Sequence, residues 1–547
     1  MFRRYSFPLS ITCIFLMGLI PPGLGIFSYF RVDDFDSLQL IQASYSSFSL
    51  NHLIQFFSEP FYQYYRPTGL IWWWIGYLVG GMNPVIYHII VCVFFGLICT
   101  NIFLIGTYTN GMRAGWLSAL IYITFTPITV VSWWISNMGV GFGAVVFFTW
   151  GILGFICLQR SPKILTLLTL FCFAWALFAK NAYVFLSPLP ILLYLFVDQF
   201  RTKRHLFLSC SVLMISIISV ITEQIMTKGR GINSHIHLNI LELPAEMVIQ
   251  NLSDYWSLLL YGHSPYLTVF ALAYGITKFK KSFVDIQYII VLAILFFAIT
   301  ALMKWSPGLL VLACLVLGLS FFVTENWQGK LWTFWIVLGL SQTMFWDIRI
   351  IGGLLNRFIL ESSVGFALLI GYGLSCHLDY IKTCYKVLKA DHYIKSFMLV
   401  SMISLFLIGT VYHSRGYIYD TFKREIRMTY DTSYIIRDVL SSIRKAVPDK
   451  GVLLIDNTLV EGVEHHSQIT NGLFNVGRAD IRHTFIEHDQ LRSAISDHLN
   501  RSSSFYMLTK RSLPELILDE YNVSPLYTIS HGVYEAYLYI IQSQEIE

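Results

Sequence analysis

The chain has 547 residues, of which 55% are hydrophobic and only 13% charged, and its mean hydropathy is +0.59. Soluble domains carry about 25% charged residues, so this composition excludes an ordinary soluble enzyme and a disordered chain and points to a polytopic membrane protein. The net charge of +5 is small and scattered, which gives no nucleic-acid footprint.

In chain order, Arg3 and Arg4 precede an apolar run to about Phe30 that lacks a clear small-x-small cleavage site, and this predicts a retained first helix. Hydropathy predicts about thirteen spans, near 9–29, 84–108, 114–131, 138–158, 163–180, 183–199, 206–226, 264–277, 283–303, 307–323, 331–346, 360–376 and 396–413. With the N-terminus cytoplasmic, alternate loops hold Arg113, then Arg160 and Lys163, then Arg201, Lys203 and Arg204, and so on to Lys382, Lys386 and Lys389. This obeys the positive-inside rule at every turn and puts the remaining loops and the tail outside.

Pro67 to Gly81 is short for a span, holds Trp72, Trp73 and Trp74, and would invert every later loop if it crossed. It is therefore expected to lie in the outer interface, making 33–82 one long outer loop with interfacial helices. After position 413 the composition changes, because 32 of the 71 charged residues lie there. Residues 1–413 are thus expected to form the transmembrane body and 414–547 a small soluble α/β extracytoplasmic domain. That domain should have helices at Thr432 to Ala446 and Pro514 to Tyr521 and strands at Gly451 to Asp456 and Val533 to Ile541. All nine cysteines fall in or beside the apolar body without a CxxC pair, so neither a disulfide frame nor a zinc site is implied.

Ionisable residues at the outer ends of helices are the ones that the positive-inside rule leaves unexplained. The densest group is Val32-Asp33-Asp34-Phe35-Asp36, directly after the first helix. Crowded carboxylates suit a proton acceptor, although the string alone also fits a solvated helix cap. Arg66, in Tyr64-Tyr65-Arg66-Pro67-Thr68, stands where it can clamp a phosphate bidentately or snorkel to lipid headgroups. Glu59, Lys180, Lys228, Arg230, Lys304, Asp347, Arg349, Arg357 and Glu361 fall at the same face. Trp133 and Trp134 read as an aromatic belt, and His235, His237 and Glu242 lack the spacing of a metal site.

These strings resemble the multispanning glycosyltransferases of the GT-C fold, which include protein O-mannosyltransferases and lipid A aminoarabinose transferases. Asp33-Asp34 is similar to the family's acidic pair, Tyr65-Arg66-Pro67 to its second string in the same loop, and Tyr87-His88 to the start of the following helix. Phe178-Ala179-Lys180-Asn181 with Pro188 resembles the family's Lys motif, with Asn181 where the family has Glu or Gly. The string from Asn356 to Gly365, holding Arg357 and Glu361, resembles a late family motif, with Asn356 replacing Glu and Ser362 replacing Pro. The resemblance spans roughly residues 9–413.

What it implies is an inverting transferase that moves a sugar from a polyprenyl-phosphate donor to an acceptor hydroxyl at the outer membrane face. Asp33 would be the general base, with Asp34 second. Arg66, Lys180 and Arg357 would hold the donor phosphate, and Asp36, Glu59, Tyr65, His88, Asn181 and Glu361 would line the substrate cavity. Glycan, lipid and protein acceptors all remain open, no metal or other cofactor is expected, and a divalent cation on the aspartates is the less favoured option. The expected setting is a bacterial plasma membrane. The competing readings are a polymerase or ligase using a polyprenyl-pyrophosphate donor, and a lipid or small-molecule transporter. A transporter would call for a midplane site and matched helix breaks, neither of which is apparent in the sequence.

Overall fold

The computed structural model describes residues 2–228, 327–341, 359–387, 434–456 and 470–542, apart from short breaks within these ranges. The described part is mostly helical, with one five-stranded sheet near the C-terminal end. Helix α1 is Phe2–Gly23, and three helices follow in the first long loop: α2 (Asp33–Ser44), α3 (Leu50–Ser58) and α4 (Pro67–Gly80). The body continues with α5 (Pro84–Asn110), α6 (Met112–Ile123), a π-helical turn (Met138–Gly143) running into α7 (Ala144–Cys157), and α8 (Lys163–Ala179). Then come α9 (Ala182–Leu186), α10 (Leu189–Phe196), α11 (Lys203–Met226), α12 (Trp327–Ser341) and α13 (Leu360–Val387).

Three helical segments among the described residues are long and apolar enough to cross a membrane: Pro84–Asn110, Met138–Cys157 and Lys203–Met226. Shorter apolar helices occupy Phe7–Gly23, Lys163–Ala179, Ala182–Phe196 and Leu360–Ser375. The predicted spans at 264–277, 283–303, 307–323 and 396–413 lie outside the described residues.

Local chemistry explains the boundaries. Asn83 caps α5 by accepting from the Val85 amide at 3.1 Å, with Pro84 in the first helical position, and the helix ends at Gly111 with φ of +86°. Thr202 caps α11 by accepting from the His205 amide at 3.4 Å. The span expected over 183–199 is broken between α9 and α10, because Pro188 has no N–H to donate to Val184. A tighter bond from the Ser187 amide to the Val184 carbonyl, at 3.3 Å, closes the turn instead.

The tryptophans of α4 differ from the interfacial expectation. Trp73 and Trp74 are buried in protein, Trp73 against Tyr87 and Trp74 against Phe48 and Phe56, with the Trp74 indole donating to the Tyr45 carbonyl at 3.1 Å. Trp133 and Trp134 are buried too, and the Trp133 indole donates to the Pro21 carbonyl at 2.9 Å. Composition marks a tryptophan as amphipathic, but whether it meets lipid or a neighbouring helix is decided by packing.

Toward the C-terminus, a helix at 434–446 (α14) precedes β1 (Val452–Asp456), a helix at 470–475 (α15) and β2 (Arg482–Ile486). Helix α16 (Leu491–Leu499), β3 (Ser504–Thr509), β4 (Asn522–His531) and β5 (Tyr534–Gln542) follow. The sheet order is β2-β1-β3-β5-β4, with β2, β1 and β3 parallel and β5 and β4 antiparallel to their neighbours. Leu453, Ile455 and Leu508 pack toward α14, while Leu454, Met507 and Ile541 pack toward α16, which is the alternation expected of strands covered on both faces. The helix expected at Pro514 to Tyr521 falls almost wholly outside the described residues.

Candidate active site

Arg66 is the N-cap of helix α4, whose first turn is fixed against two neighbours. The Thr68 hydroxyl donates to the Trp175 carbonyl of α8 at 2.8 Å. Gly69 and Gly139 of the π-helical turn meet backbone to backbone, where a Cβ on Gly139 would lie 2.2 Å from the Gly69 carbonyl oxygen. A Cβ on Gly69 would stand 3.5 Å from the Ala179 carbonyl, so the start of α4 and the end of α8 are adjacent. Arg66 and Lys180 are thereby brought to one place from positions far apart in the sequence.

Lys180 directly follows α8, where the negative end of the helix dipole favours a cation, and Glu361 sits in the first turn of α13, where the positive end favours an acid. The two side chains pair at 2.6 Å, with the Glu361 side chain fully buried and that of Lys180 13% exposed. The Trp335 indole donates to the Glu361 backbone carbonyl at 3.0 Å and fixes this turn. Tyr122 and Tyr183, both fully buried, lie within electrostatic range of the Glu361 carboxylate.

The next residue, Asn181, donates its amide to Glu223 at 2.5 Å. Glu223 is buried in the last turn of α11, where the helix dipole opposes a negative charge. Asn181 and the nearby charge of Arg66 offset that cost. Glu223 is a site residue that the sequence reading missed, and the available signal was a lone acid in an otherwise apolar helix. Arg66, Lys180, Asn181, Glu223 and Glu361 thus form one cluster of two cations, two acids and an amide.

The acidic string lies on a separate element. Asp33 opens α2, and Asp34 is buried within electrostatic range of the Tyr87 phenol of α5. Asp36 accepts from the Asn471 amide. Tyr65 supports the loop between α3 and α4, its hydroxyl donating to the Phe57 carbonyl at 2.7 Å and its ring meeting Phe178 edge-on. Burial pushes the Tyr65 phenol up from its ordinary range, which keeps it neutral as a donor.

His88 is buried with Nε2 2.9 Å from the Ser28 hydroxyl and 3.2 Å from the Ser28 carbonyl, which ties α5 to the segment leading into α2. Glu59 is exposed at the end of α3 and takes a long 3.5 Å contact from the Tyr45 hydroxyl. Arg357 lies outside the described residues, as do Arg230, His235, His237, Glu242, Lys304, Asp347 and Arg349.

No family model matches the chain, and no curated protein matches it. Among solved structures the chain is similar to ArnT from Cupriavidus metallidurans bound to undecaprenyl phosphate, at 10% identity over 98% of both chains with a TM-score of 0.48. The apo state of ArnT gives 10% identity over the same shares with a TM-score of 0.49. The archaeal oligosaccharyltransferase AglB from Archaeoglobus fulgidus, in complex with an inhibitory peptide and a dolichol-phosphate, is similar at 11% identity. That match covers 93% of this chain and 70% of AglB, with a TM-score of 0.46.

Proposed function

We propose that the chain is an integral-membrane glycosyltransferase of the GT-C type. It would move a sugar from a polyprenyl-phosphate donor to an acceptor hydroxyl at the outer membrane face. The observation that carries this is the cluster of half-buried Arg66, Lys180 and Asn181 with buried Glu223 and Glu361 at the ends of apolar helices, with a carboxylate-bearing helix in the same loop as Arg66. A donor with a lipid tail is reached from within the bilayer, so its phosphate needs cations held at headgroup depth. The ordered strings Asp33-Asp34, Tyr65-Arg66-Pro67 and Phe178-Ala179-Lys180-Asn181 support the same reading.

In this mechanism the acceptor hydroxyl gives its proton to Asp33, with Asp34 as the neighbouring carboxylate. The acceptor oxygen bonds to the anomeric carbon as the bond from that carbon to the phosphate oxygen breaks. Direct displacement inverts the anomeric centre. Polyprenyl phosphate leaves with its growing charge neutralised by Arg66, Lys180 and Arg357. Carboxylates near the sugar stabilise the oxocarbenium-like transition state. The body is proposed to have about thirteen spans, with the N-terminus cytoplasmic and the C-terminal unit outside a bacterial plasma membrane.

The test is release of free polyprenyl phosphate from a panel of labelled polyprenyl-phosphate sugars by purified protein in liposomes, with Arg66→Ala alongside. Release by the wild type, and a raised donor KM in the variant, are the expected results. With polyprenyl-pyrophosphate sugars run in parallel, release of polyprenyl pyrophosphate from these alone would favour the polymerase or ligase, and uptake of the donor without release would favour the transporter.

A further inference from the structure

We infer that helix α15 is a positioning clamp for the acid-bearing helix α2, with Asn471 and Asn475 as its two contacts. These residues are four apart, so they share one face of a helical turn. The Asn471 amide donates to the Asp36 carboxylate, and the Asn475 amide donates to the Phe35 backbone carbonyl at 3.2 Å. Both asparagines are buried, at 9% and 5% exposure, so the Asn475 contact is shielded from water and the Asn471 contact, to half-buried Asp36, is partly shielded. A third contact from the C-terminal unit, the Tyr434 hydroxyl donating to the Phe27 carbonyl at 3.2 Å, holds the segment that leads into α2.

The geometry makes these contacts more than general docking. Helix α2 has only 12 residues, and Phe35 and Asp36 lie in the same first turn as Asp33 and Asp34. First turns lack part of their backbone hydrogen bonding and fray most easily. A general base must be held to within about 0.5 Å of its productive position, which a free helix end does not ensure. The anchoring residues arrive from more than 430 positions downstream, so the acid-bearing turn is completed only when the C-terminal unit has folded against it. Asp36, counted from sequence among the cavity residues, is then the anchor of the turn, while the naming of Asp33 and Asp34 as catalytic rests on the function proposed above.

The experiment uses full-length protein in detergent and two readouts, donor turnover and hydrogen exchange of α2. Asn471→Asp sets a carboxylate against Asp36 and is expected to lower kcat by on the order of 10- to 10²-fold while leaving donor KM within about twofold. Adding Asp36→Asn restores a donor–acceptor pair and is expected to return kcat to that of Asp36→Asn alone. Amides of α2 should exchange faster in Asn471→Asp and regain protection in the double variant, while those of Pro84–Asn110 stay protected throughout. Unchanged α2 exchange, an unchanged kcat, a rise in KM in place of a fall in kcat, or no rescue would overturn the clamp. Absence of turnover in the wild type would instead contradict the proposed function, and the exchange experiment would still decide the clamp.

Discussion

The Lys180 ammonium and the Glu361 carboxylate, 181 residues apart in sequence, meet at 2.6 Å with the acid wholly buried. Removing one member of such a pair leaves an uncompensated buried charge, which typically costs about 3–5 kcal/mol, whereas replacing both with apolar groups is often neutral. Lys180→Met and Glu361→Leu should each lower the thermal midpoint strongly, and the double variant should recover most of it. If Lys180 also binds the donor phosphate, the double variant regains stability but not turnover. Thermal unfolding and donor release measured on the same samples check both parts.

Glu223 lies beside Arg66 and accepts from Asn181, so it places negative charge where an anionic donor would approach. Glu223→Gln keeps an acceptor for Asn181 and removes that charge. Donor KM should fall several-fold with little change in folding. A rise in KM would show that Glu223 orients Arg66 more than it opposes the phosphate.

The contact of Gly139 on Gly69 leaves no room for a side chain, since the Cβ would come within 2.2 Å of a backbone oxygen. Gly139→Ala should separate α4 from the π-helical turn and cost roughly 1–3 kcal/mol by overpacking. Because Arg66 is the N-cap of α4, donor KM should rise as well. Thermal unfolding and donor-dependent kinetics provide the check.

Part of the clustering is legible in the sequence: charge placement and motif order single out Lys180, Asn181 and Glu361, and in the structure Lys180 pairs with Glu361 while the adjacent Asn181 bonds Glu223. Hydropathy found α5, α7 and α11, because long apolar runs have few alternative folds. Glu223 was missed because a single acid near the end of α11 does not change the hydropathy of that helix. The strands Arg482–Ile486, Ser504–Thr509 and Asn522–His531 are not in the sequence reading; the first and last lie at sheet edges, where polar residues interrupt the apolar alternation, and the central Ser504–Thr509 is a short stretch directly after the polar run Asn500-Arg501-Ser502-Ser503. The clamp from Asn471 and Asn475 has no local signal, since it depends on a tertiary contact between distant turns.

Asp480 accepts from the Arg478 guanidinium at 3.1 Å and from the Lys450 amide at 2.7 Å, and Arg478 holds its carboxyl below the usual 3.8. A carboxylate whose folded pKa is depressed stabilises the fold above its unfolded pKa and loses that contribution as pH falls through the folded value. The turn linking α14 to β1 should therefore loosen below about pH 4. Arg478 also donates to the Val447 carbonyl at 2.7 Å and the Pro448 carbonyl at 2.8 Å, so Asp480→Asn should loosen the same turn already at neutral pH. Hydrogen exchange of residues 447–452 in the full chain, followed against pH, reads both effects.

In the proposed function the carboxylates opening α2 drive transfer of a sugar from a polyprenyl-phosphate carrier. The most direct measurement is release of free polyprenyl phosphate by the wild type, Asp33→Asn and Asp34→Asn, each at saturating donor with acceptor present. General-base assistance typically contributes about 10²- to 10⁴-fold. Release by the wild type that falls by that order in Asp33→Asn, with donor binding retained, is the predicted result. Equal rates in the wild type and both variants, or no release from any donor of this class, would contradict it.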